Sequence, residues 1–213
     1  MSNRGLLLLV LVPALFSNAR YLSGQNVAVQ VQVYDYADLS PAALAQFIAR
    51  TQEILLRSGV AVEVDACPRG TSSPCESRSG SLRQLIIRLV PKAPANKTNL
   101  RWQHLGQSMA GHDGGVYASI FLELAQEEAN EANLPPVIVL AYAAAHEVGH
   151  LLLGDQAHTA RGLMRARWDT DDFQAMAQNR FSFVPAQIRE LRERYGTPPL
   201  NKASATSDLA GRR

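Results

Sequence analysis

Cysteine is nearly missing from this chain: Cys67 and Cys75 are the two in 213 residues, and PRGTSSP lies between them. A lone pair at that spacing leaves room for one bridge and makes a poor zinc signature. No lysine-rich block and no alternation of basic with aromatic residues occurs, and the formal charge is +2, so composition carries no footprint of nucleic-acid binding. No internal repeat is visible. The N-terminal apolar run, Leu6–Phe16 (LLLLVLVPALF), falls short of the roughly 20 residues a membrane span needs. No cysteine follows that run, which sets aside a lipid-anchored form.

What is present gives the chain an address. MSNRG carries one arginine, the apolar run follows, and Ser17-Asn18-Ala19 supplies small residues at the −3 and −1 positions of a cleavage site. That order predicts a secretory signal peptide over residues 1–19, and hence a secreted or periplasmic protein with no stable membrane insertion after cleavage. An uncleaved anchor or a buried strand is the competing reading of the run. In an oxidising compartment Cys67 and Cys75 are expected to form a local disulfide closing a surface loop, with metal ligation as the competing role. An apolar content of 46% is enough for a real core and excludes global disorder, and the length suits one domain.

Periodicity orders the elements. QNVAVQVQVYDY alternates, with Val27, Val29, Val31 and Val33 on one side, and predicts a half-buried strand over 26–36. Ser40-Pro41 caps and opens a helix carrying Leu44, Phe47, Ile48, Thr51, Ile54 and Leu55, which Gly59 ends. Val60, Val62 and Val64 predict a second strand, and Arg83–Val90 a third. Gly106–Gly115 (GQSMAGHDGG) reads as a flexible stretch and Val116–Glu123 (VYASIFLE) as a fourth strand. Helices are expected over 126–133, over 136–153 after Pro135-Pro136, over 169–177, and from Pro185. From Gly196 onward the composition is that of a disordered tail. The order predicts an α/β (α+β) domain over 20–195, its upper part 26–154 and a small helical C-terminal part 155–195. In it a mixed twisted sheet packs against the 136–153 helix.

That helix carries the chemistry. In AAHEVGH, His146 and His150 are four residues apart, so both imidazoles stand on one face, one turn above the other, within reach of one ion. Glu147 projects beside such an ion and not onto it, placed to take a proton from water and pass it to a leaving amine. The ion's own part is to acidify that water and accept charge from the carbonyl oxygen. The buried run VIVLAYAAA leads into the motif, Gly149 removes bulk beside His150, and Gly154 stands where the helix releases the chain.

Here the sequence resembles the metzincin clan of zinc peptidases, most closely its matrixin-like members. These share HExxHxxGxxH followed by a methionine turn under the metal. His146, Glu147 and His150 match the first half, and Met164 within GLM matches the Met-turn. The resemblance implies Zn²⁺ held by three imidazoles, Glu147 as catalytic acid and base, and VYASIFLE as an edge strand that pairs with an extended peptide or protein substrate. It covers roughly residues 26–168, but only 144–164 is specific. The spacing departs from the pattern: position 153 is leucine, Gly154 is one late, position 156 is glutamine, and His158 comes eight residues after His150 in place of six. Gly154 can take positive φ and let 155–157 loop outward before His158 returns as the third ligand. Asp155 is the substitute ligand, or simply solvates the helix end. Ala166 stands where some members carry a tyrosine. His104 and His112 are candidates to line the cleft or hold a second ion, or to be solvent-facing. Arg161, Arg165 and Arg167 with Trp168 are candidates for substrate contact, or for a charged face paired with Asp169, Asp171 and Asp172.

The expectation is therefore a zinc-dependent metalloendopeptidase, its metal on His146, His150 and His158. The alternative is an exported, zinc-stabilised binding or scaffold protein without turnover. The shifted spacing favours that alternative, and the retained Glu147 opposes it.

Overall fold

Val29, Val31 and Val33 are fully buried at the centre of the first strand, β1 (Val29–Asp35). The computed structural model describes residues 27–68, 75, 81, 83–94 and 105–196. The expected signal peptide, His104 and the tail from 197 onward lie outside the described residues. On the opposite face of β1, Gln30 and Gln32 are buried too, so the strand is covered on both sides, not half-buried. Gln30 donates to Asp65 (3.1 Å) and Gln32 donates to the main-chain oxygen of Cys75 (3.5 Å). Cys75 is disulfide-bonded to Cys67, with Cα atoms 5.3 Å apart. The bridge thus holds Cys75 against the polar face of β1, and the metal-ligand reading of the two cysteines falls.

Helix α1 (Pro41–Arg57) begins as the sequence predicts, with Ser40 Oγ accepting from the amide of Ala43 (3.2 Å) and proline in the first turn. It buries Phe47, Thr51, Ile54 and Leu55. The remaining strands are β2 (Val62–Cys67), β3 (Arg83–Val90), β4 (Gly106–Gly111) and β5 (Gly114–Phe121). Helices α2 (Leu122–Glu131), α3 (Pro136–Leu153), α4 (Thr170–Ala177) and α5 (Pro185–Tyr195) complete the elements among the described residues. The five-stranded sheet runs in the order β2-β1-β3-β5-β4; every pairing is parallel except that of β4 with β5. This is the mixed α/β (α+β) architecture expected.

Two expectations fail at the sheet's far side. Residues 106–111 are a strand, not a flexible stretch, and the strand around 116–121 is internal, because β4 takes the edge. GQSMAG lacks the β-branched alternation that marks a strand, and an edge strand covered on one face does not need it. Pairing with β5 makes the strand instead, closed by the two-residue turn His112-Asp113 between Gly111 and Gly114.

Helix α3 is the hub. It packs against α1, α2, β4 and β5. By length and composition it could cross a membrane, yet 72% of it is buried inside the fold as a core helix. Arg83 donates to the main-chain oxygens of Leu151 (3.0 Å) and Gly115 (2.9 Å). A cation is thereby set against the negative end of the helix dipole and tied to the sheet. At the other flank, Arg57 reaches the carbonyl of Asn179 and the hydroxyl of Tyr142. Asn179 in turn donates to Glu53 (2.5 Å), holding that carboxyl below its usual pKa. The C-terminal part is thus bolted to both α1 and α3.

Candidate metal centre

His146 and His150 project from one face of α3 with ring centroids 4.9 Å apart. Each ring is fixed through Nδ1. For His146 the partner is the carbonyl of Leu163 at 2.7 Å, and for His150 that of Gly154 at 3.2 Å. A carbonyl only accepts, so each Nδ1 carries the proton and the neutral ring presents Nε2 as its lone pair. Holding a metal-binding histidine by its other nitrogen fixes both tautomer and orientation.

His158 joins them from the loop beyond α3. Its Nε2 lies 3.1 Å from Nε2 of His150. Nitrogens bound tetrahedrally at about 2.0–2.1 Å from one ion stand about 3.3 Å from each other, so the observed separation is close to what a shared ion imposes. The three histidines form a group whose ligand atoms all lie within 4.8 Å of one another. His158 is exposed at the rim, while burial of its inner side lowers its pKa and favours the neutral, ligating form. Three convergent imidazoles suit a borderline divalent cation, so the donor set fits.

The late arrival of His158 has a local cause. Gly154 ends α3 at φ +99, donates its amide to His150 O (2.9 Å), and presents its own carbonyl to the His150 ring. A Cβ here would sit 2.5 Å from the carbonyl oxygen of His112 in the β4–β5 turn. The next amide, Asp155, donates to Gly111 O (3.2 Å). The chain is therefore pinned to the hairpin, loops outward through exposed Asp155 and Gln156, and is caught again where Gln187 donates to Ala157 O (2.7 Å). The extra residues bulge outward and His158 returns. Asp155 is exposed at the helix end, and the three-nitrogen group does not include it.

Met164 is fully buried, and its Sδ occupies the space that a side chain at Gly149 would need, 2.3 Å from a Cβ built there. The bulk removed at Gly149 is thus removed for Met164. The Met164 carbonyl also accepts from the amide of Thr159 (2.9 Å), tying the methionine segment to the residue after His158. Trp168 donates to the same Leu163 carbonyl that orients His146 (3.2 Å) and packs edge-on to that ring at 5.8 Å.

Glu147 is only 6% exposed. With His146 it lines a cavity of about 560 Å³ whose walls include Leu134, Ala143, Trp168 and Phe173. Arg165 pairs with Asp169 and, at 2.9 Å, with Asp172, and together with Arg167 it also lines that cavity. His112 is exposed beside Asp113 in the hairpin turn and does not join the histidine group. Sequence reading missed Leu163, Gln187 and Gly106, the last of which abuts Glu147. Leu163 acts through its main-chain carbonyl, Gln187 through its side-chain amide and Gly106 through an absent side chain, and none carries a motif. No protein-family model matches the chain, and a search of curated proteins finds no match.

Proposed function

We propose that the chain is a zinc-dependent metallopeptidase that hydrolyses peptide bonds in an oxidising, extracytoplasmic compartment. The observation that carries this reading is the convergence of His146, His150 and His158 beside a buried carboxylate that opens onto a cavity. A bound zinc ion would supply Lewis acidity toward water and toward the scissile carbonyl. Glu147, adjacent to the ligands and outside their group, accepts the proton of the attacking water and delivers it to the departing amine nitrogen. Its burial beside the cavity keeps competing solvent away from that transfer.

Strand β4, last in the sheet and packed on α3, offers the backbone edge along which an extended peptide pairs; this role passes to it from 116–123. The cavity walled by Leu134, Trp168 and Phe173 has room for a substrate side chain next to the metal. Export rests on the N-terminal charge-apolar-small order, and the disulfide between Cys67 and Cys75 suits such a compartment.

A non-catalytic zinc-stabilised scaffold is the competing reading, and Glu147→Ala decides between them. Peptide cleavage of a quenched-peptide mixture is expected to fall about 100- to 10,000-fold with zinc content unchanged. Equal cleavage by both proteins, or none by either with zinc fully bound, would favour the scaffold.

A further inference from the structure

We infer that Gly106 is a positioning residue for Glu147: the missing side chain at the start of β4 forms the slot that holds the carboxylate in its working orientation. This rests on the reading of Glu147 as the proton carrier. A Cβ built on Gly106 would lie 2.6 Å from Glu147 Cγ, and 3.0 Å from both Cδ and Oε1. Those separations are below van der Waals contact, and the first atom met is near the base of the side chain, not its mobile end. Gly106 does not occupy the left-handed φ region. Backbone conformation therefore does not call for glycine there, and space does.

Neither wall of the slot can retreat easily. Gly106 is paired in register with Ile120 across the β4–β5 ladder, and the neighbouring Phe121 amide donates to Leu105 O at 2.9 Å. On the other side Glu147 belongs to the middle of α3, between the fully buried Ala145 and Val148. The Glu147 side chain is thus pinched between two fixed main chains, one of them the strand proposed to receive the substrate. A methyl group at 106 fills the slot and turns the carboxylate aside, since the three atoms it meets first all belong to Glu147. Displacements of about 1 Å at a reacting group cost on the order of 100-fold in rate.

The test is a cycle of Gly106→Ala, Glu147→Ala and the double variant, read by zinc content, kcat/KM on a quenched peptide, and crystal structures of the zinc-loaded proteins. Alanine at 147 lacks the Cγ, Cδ and Oε1 that the new Cβ meets. Expected are full zinc content in Gly106→Ala, a fall of about 100-fold in kcat/KM, and a displaced Glu147 carboxylate. In the Glu147→Ala background the same alanine should cost little further. An unmoved Glu147 in the Gly106→Ala structure, or an equal loss in both backgrounds, overturns the inference. Should Gly106→Ala fail to fold, folding of the double variant supports the contact, and failure of both overturns it. Absence of cleavage in the wild type sinks the peptidase reading alone, because the crystal structures still report whether residue 106 sets the orientation of Glu147.

Discussion

The two halves of the histidine site are held by different physics. His146, Glu147 and His150 ride on α3, where four-residue spacing alone puts both imidazoles on one face and core packing holds the helix in place. His158 and Met164 sit on irregular chain, and their positions depend on contacts from far away in sequence: Gly111, His112 and Gln187 for the one, Gly149 and Phe183 around the other. A helix converts sequence spacing into geometry directly. A loop does so only through its anchors, which is why the place of His158 cannot be read from its distance along the chain while those of the first two histidines can.

The sharpest way to break that contrast is to disturb the loop without touching a ligand. Gly154→Ala places a side chain at φ +99 and against the His112 carbonyl. Strain of about 1–3 kcal/mol is expected in the unfolding free energy, together with a loss of about 10- to 100-fold in zinc affinity from the disturbed His150 and His158 supports. Denaturant unfolding and competitive zinc titration read the two effects. Wild-type affinity in a folded Gly154→Ala protein would show that the helix pair alone sets the site.

Gln187→Leu is a milder cut. It removes the donor to Ala157 O while keeping the buried volume, so the loop loses one anchor next to His158. Stability should fall by about 1 kcal/mol, and zinc affinity by about 10-fold. The same titration checks it, and no change would mean that the hairpin contacts suffice.

The smallest effect is a pH slope in the zinc-free protein. Burial lowers the His158 pKa, so the unfolded chain takes up more protons than the folded one as pH falls below the unfolded value of about 6.5. That contribution to stability is present above this pH and lost on acidification. Denaturation midpoints at about pH 8 and about pH 5 should differ less in His158→Gln than in the wild type.

The same division explains how much was legible beforehand. Ser40-Pro41, the valine alternation of β1 and the uninterrupted apolar run of α3 encode their structures locally, and all appear where expected. The pair of histidines on α3 follows from a helix and a spacing. Strand β4 was not legible, because an edge strand of small residues takes its conformation from β5 and not from its own side chains. Its displacement of 116–121 from the edge followed from that omission. The buried glutamines of β1 were missed because their partners, Asp65 for Gln30 and the disulfide-linked Cys75 for Gln32, are remote in sequence. Leu163 was invisible as a site residue because every residue carries a main-chain carbonyl, and Gly106 because it contributes space and no functional group.

A loop-borne imidazole at position 158, and no carboxylate, completes the three-nitrogen group on α3. Zinc content of His158→Ala and Asp155→Ala, measured beside the wild type after identical dialysis, shows which of the two side chains holds the ion. Stoichiometric zinc is expected in the wild type and in Asp155→Ala, with zinc lost from His158→Ala. Retention of zinc by His158→Ala together with its loss from Asp155→Ala would assign the third position to the carboxylate instead.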